Sequence, residues 1–115
     1  MENSIREMIN GYKSEMLSKN LVPQRAAEIL NQASALLGNI NDEILRTDVA
    51  YNVVLEECLT SEEKANRAII RAKCTDEYRE MMVAKNTEKE AIAIIRAIKY
   101  FLKTKEREYE SAKYQ

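Results

Sequence analysis

The stretch from Asn86 to Tyr109, NTEKEAIAIIRAIKYFLKTKEREY, constrains this chain more than any other. At about 100° per residue, Ala91, Ile94, Ile95, Ile98, Phe101, Leu102 and Tyr109 gather on one side of a helix. Lys89, Arg96, Lys99, Lys103 and Arg107 gather on the other. One face requires a core; the other is a row of positive charge.

The remaining segments have the same helical character. Two glycines and one proline in 115 residues leave few turn signals, and Ala, Leu, Ile, Glu, Lys and Arg favour helix throughout. The fold class is therefore all-α, a helical bundle in one domain, 1–115. Seven aromatic residues, six of them Tyr, give a modest aliphatic core. Long helices with so little to bury are expected to complete the bundle by oligomerisation.

In chain order, Ser4-x-x-Glu7 is a capping box for a first helix ending near Asn20, with Ile5, Met8, Ile9, Tyr12 and Met16 on one face and Gly11 as its weak point. Pro23 suits a first helical turn, and Gly38 a C-terminal stop, which predicts a second helix over Pro23–Leu37. These two short helices occupy 1–40. Asn41 and Asp42 can cap a third helix whose apolar positions stay in phase through Thr60 and Ser61. Thr60-x-x-Glu63 could start a separate helix, but the unbroken phase favours one helix of about 30 residues. Cys74-Thr75-Asp76 is the next turn, with Thr75 or Asp76 as N-cap. Beyond it the apolar face of Tyr78, Met81 and Met82 coincides with that of Lys85, Lys89 and Arg96. Either Thr87-x-x-Glu90 marks a break, or the helix runs on and its early part meets a different partner; the second is expected. Residues 41–115 would then form a long antiparallel helical hairpin, fraying from about Ser111.

Charge and cysteine usage narrow the function classes. Eighteen basic and nineteen acidic residues nearly cancel, so affinity for an anion must come from local arrangement. Cys58 and Cys74, with no histidine in the chain, match no common zinc pattern and no disulfide framework; Cys58 reads as a core residue and Cys74 as a surface thiol. No secretory h-region or membrane-length apolar run is present, which predicts a cytoplasmic protein with no membrane partner. Without histidine, a Gly-rich phosphate loop or a paired-carboxylate dyad, the chain is expected not to be an enzyme, and no cofactor is implied.

The positive row is the main candidate site. Lys85, Lys89, Arg96, Lys99, Lys103 and Arg107 lie within about 40° of one direction and extend roughly 33 Å along a helix. A row of ammonium and guanidinium groups suits a phosphate-rich ligand, with Arg96 as a bidentate anchor and Tyr100 placed to stack on a base. A solvated face paired with Glu56, Glu57, Glu62, Glu63 or Glu88 would account for the same residues. Tyr78, Met81, Met82 and Lys85 form a second candidate, an apolar floor with a charged rim, for which ordinary packing is the simpler account.

Across Ala68–Arg107, Ala72-Lys73, Glu77-Tyr78, Ala84-Lys85, Ile95-Arg96 and Lys99-Tyr100 followed by Leu102 make the chain resemble small helical accessory proteins of tailed bacteriophages and prophages. That class includes recombination accessories, inhibitors of host proteins and counter-defence proteins that sequester nucleotide signals. Taken with the thin core and the positive row, the resemblance makes a homo-oligomeric phage-type protein the leading expectation, in the bacterial host cytoplasm if phage-encoded. Its partner would be a nucleotide signal or nucleic acid held by Arg96, Lys99, Lys103, Lys85, Lys89, Tyr78 and Tyr100. The alternatives are a protein-interaction module or inhibitor docking on a host or phage protein, and a purely structural scaffold.

Overall fold

Two helix starts, at Pro23 and Asp76, fall where first-turn chemistry favours them. In the computed structural model, which describes residues 2–61 and 64–113, the helices are α1 (Glu2–Leu17), α2 (Pro23–Ser61), α3 (Ala65–Ala72) and α4 (Asp76–Lys113). Among the described residues there is no strand. Pro23 opens α2, where its missing N–H costs nothing. Thr75 caps α4: its hydroxyl accepts from the Tyr78 amide at 3.3 Å and donates to the Ala72 carbonyl at 2.6 Å.

Several expected boundaries moved, among them the helix start at Asn41–Asp42, which lies inside α2. Ser4 lies inside α1 rather than ahead of it. Gly38 does not end a helix; no glycine takes a positive φ, and α2 continues through it for 39 residues. A glycine becomes a stop only when the chain adopts the left-handed conformation there, and here it does not. The expected helix across Thr60 is instead interrupted before α3. Thr60 donates its hydroxyl to the Glu56 carbonyl at 2.8 Å, and Ser61 to the Cys58 carbonyl at 3.3 Å. Ser61 thus serves one of the last carbonyls of α2, the Thr60 bond is the ordinary back-bond of a helical threonine, and Lys64, in extended backbone, precedes α3 without a side-chain cap. Glu63, the other half of that capping box, lies outside the described residues.

At Asn86–Thr87 the opposite holds, and α4 runs uninterrupted. Thr87 is 4% exposed and donates to the Val83 carbonyl at 2.8 Å, so its hydroxyl serves its own helix rather than a new N-terminus.

By contacts the chain divides into two compact units, Met1–Gly38 with Lys89–Gln115, and Asn39–Glu88. In the first, Ile9, Ile29 and Ile98 are fully buried, joined by Tyr12, Ala26, Ala33, Ala91, Ile94 and Ile95. The apolar face expected of α4 is therefore the core face as far as Ile98, while Phe101 and Leu102 are half-buried. From Lys105 to Lys113 every residue is exposed, so Tyr109 does not share in that core. Two ion pairs fasten α1. Arg6 meets Glu90 of α4 at 2.8 Å, and Arg25 of α2 grips both oxygens of Glu15 at 2.8 and 2.9 Å while also reaching Glu28 at 3.1 Å. That two-pronged bond holds the Glu15 carboxyl below its usual range and raises the affinity of Arg25 for its proton.

In the second unit Tyr51, Cys58, Ala68, Ala72 and Met81 form one cluster, with Val54, Leu55 and Tyr78 against it. Ala68 and Ala72 join the same cluster as Cys58 although the helix breaks between them. Apolar phase is kept across an interruption that returns the chain to the same core. Thr47, 1% exposed, satisfies its hydroxyl on the carbonyls of Glu43 and Ile44.

Candidate phosphate-binding face

Four cations of α4, Arg96, Lys99, Lys103 and Arg107, occur once per turn, rising about 4.5, 6 and 6 Å from one to the next. Lys89 stands two turns earlier, with half-buried Ile92 between it and Arg96. All five are exposed, and among the described residues none is in an ion pair with a carboxylate. Like charges at these spacings destabilise a helix by roughly 0.2–0.5 kcal/mol per pair. Among the described residues the repulsion along Arg96–Lys99–Lys103–Arg107 is not relieved by a bonded counter-charge. Glu62 and Glu63, two of the carboxylates considered as partners, lie outside the described residues.

The far end of the row is less purely cationic than the sequence reading implied. Glu106, Glu110 and Ser111 line a shallow depression together with Lys103 and Arg107. Tyr100 is 72% exposed and lies one helical turn from both Arg96 and Lys103, so its ring is free to meet a planar group. Lys105 belongs elsewhere: it pairs with Glu108 at 3.3 Å and lies 5.7 Å from the centre of the Phe101 ring.

Lys85 and Tyr78 fall in the second unit and are engaged there. Lys85 contacts Asp48 at 3.4 Å. Tyr78 packs against Tyr51, ring centres 5.3 Å apart, at the edge of the buried cluster that contains Met81. The Tyr78–Met81 group thus serves packing. Cys58 is buried in that cluster and Cys74 is an exposed free thiol. Among the described residues no three carboxylate or thiol groups converge to hold a metal ion.

Two features were not singled out from the sequence. One is an apolar groove between α1 and α4 in the first unit, lined by Lys13, Met16, Leu17, Glu90, Ala93, Ile94 and Ala97. The other is an exposed apolar row on α2, Leu45, Val49 and Val53, 50–64% exposed. The available signals were the i, i+4 alanines at the border of the two α4 faces, and an i, i+4, i+8 series outside the main apolar stripe of α2. No family model, curated protein or solved structure matches this chain.

Proposed function

We propose that this chain is a non-enzymatic helical module that binds a phosphate-bearing ligand along α4, from Lys89 to Arg107, with Tyr100 at its side. The observation that carries this reading is five exposed cations on one helix face with no carboxylate partner among the described residues. Arg96 is the anchor, since a planar guanidinium holds a phosphate through two parallel hydrogen bonds, and Lys99 and Lys103 add field. Lys85 and Tyr78, committed to Asp48 and Tyr51, are left out of the site. A nucleotide signal and a nucleic acid both meet these requirements. The resemblance of the C-terminal region to phage accessory proteins supplies the setting, a counter-defence or DNA-metabolism role in the bacterial cytoplasm. No helix among the described residues is long and apolar enough to cross a membrane.

The test is charge reversal. Arg96→Glu with Lys99→Glu should abolish binding to a panel of nucleotides and oligonucleotides at low salt, with helicity retained. Unchanged binding overturns the reading.

A second reading, a protein-interaction or assembly module, is favoured by the exposed Leu45–Val49–Val53 row and by Ile70, 64% exposed on α3. Three aliphatic side chains in succession on one helix face form a seam of the kind helices use to associate. In this reading the bundle is completed by further copies of the chain. The two readings are compatible, because the row lies on α2 and the cations on α4.

A further inference from the structure

The groove beside α1 adjoins the positive row. Ala93 and Ala97 form its α4 wall, with Ile94 as floor and Met16 and Leu17 as the α1 wall. On a helix surface the neighbours of a residue are those three and four positions away. Ala93 therefore lies beside Lys89 and Arg96, and Ala97 beside Tyr100. Lys13 adds a further positive charge at the groove. One edge of the apolar space is thus the edge of the row proposed to hold phosphate.

Size decides what could enter. The open groove offers about 220 Å³, less than the roughly 300–1,000 Å³ of a site that encloses a whole small ligand. It can take one flat ring system whose remainder lies outside. Its lining is apolar except for Lys13 and Glu90, and Arg6, 2.8 Å from Glu90, compensates that carboxylate. A group entering here gains mainly from shedding water, with Lys13 and Glu90 as the two charged side chains of the lining.

We infer that this groove is the base-binding subsite of the phosphate face: a nucleotide places its base against Ala93, Ala97, Met16 and Leu17 while its phosphates engage Arg96, Lys89 and Lys13. The inference rests on the phosphate-binding reading and deepens it by making the ligand a nucleotide rather than any polyanion. Charge complementarity selects this occupant. An apolar ligand would make no use of the cations alongside, and inorganic phosphate would leave the groove wet.

The experiment compares inorganic tripolyphosphate with a panel of the four ribonucleoside triphosphates, cyclic di-AMP and cyclic di-GMP, by calorimetric titration at low salt. At least one nucleotide should bind tenfold or more tighter than tripolyphosphate. Filling the groove with Ala93→Leu and Ala97→Leu should erase that advantage while leaving tripolyphosphate affinity unchanged. Both alanines are exposed, so the variant has room to fold. As a check that needs no variant, the methyl resonances of Ala93, Ala97 and Ile94 should shift with the preferred nucleotide and not with tripolyphosphate. If tripolyphosphate binds as tightly as every nucleotide, the subsite is refuted and the phosphate face stands. If neither class binds, both fall. Should the groove instead receive Leu17 of a second copy, Leu17→Gln would dissociate an oligomer and leave nucleotide affinity unchanged, which also refutes the subsite.

Discussion

Gly38→Ala offers a change whose sign, not only its size, follows from the backbone. Gly38 lies well inside α2 with no positive φ, and a Cβ built there meets nothing within 4 Å. Alanine would then remove the excess backbone freedom of the unfolded chain without a steric cost, a gain of about 0.5–1 kcal/mol. For a chain of this size that corresponds to a rise of roughly 2–4 °C in unfolding midpoint. Gly11, inside α1 and also with open space around its Cβ position, should respond similarly. As the sites lie on different helices, the two gains should add to within about 0.5 kcal/mol if they are uncoupled. Thermal unfolding followed by circular dichroism, with urea titration as a second measure, gives both numbers. Were Gly38 a left-handed helix stop, alanine would be strained and the midpoint would fall. A fall would therefore refute a continuous α2.

Ile98 is completely buried, and Ile98→Ala should cost about 2–5 kcal/mol by urea unfolding; a loss below 1 kcal/mol would mean α4 does not carry the core of its unit. The Glu15–Arg25 bond gives a pH dependence. Because the carboxyl is held below its ordinary value of 4.5 in the folded chain, its contribution is present above that pH and disappears as pH falls through the lower folded value. Glu15→Gln should flatten the acid limb of the stability curve, and an unaltered limb would discount the bond. Val49→Glu places a charge in the exposed α2 row and should lower the subunit count in native mass spectrometry with helicity intact; an unchanged count would show that this row joins no copies.

The helical class and several helix boundaries were readable because they depend on local chemistry. Pro23 and Thr75 act within one turn of themselves, and the burial of Ala91, Ile94, Ile95 and Ile98 follows from a single period. Gly38 and Thr60 were not readable in this way. Each can either end or continue a helix, and packing at a distance decides which. Tyr78 and Lys85 show the same limit at the site. Both point in the direction of the positive row when α4 is drawn alone, but Tyr51 and Asp48 of α2 occupy them. The groove depends on α1 coming beside α4, a juxtaposition that no single-helix pattern contains.

The claim that matters most is that α4 presents its cations to phosphate, and residue-resolved NMR tests it directly. With tripolyphosphate added at low salt, the side-chain N–H signal of Arg96 and the amine signals of Lys99 and Lys103 should move together and saturate. Their shifts should reverse as salt is raised and the added ions compete. Perturbations confined to other cations, or spread evenly over all eighteen basic residues, would contradict the account.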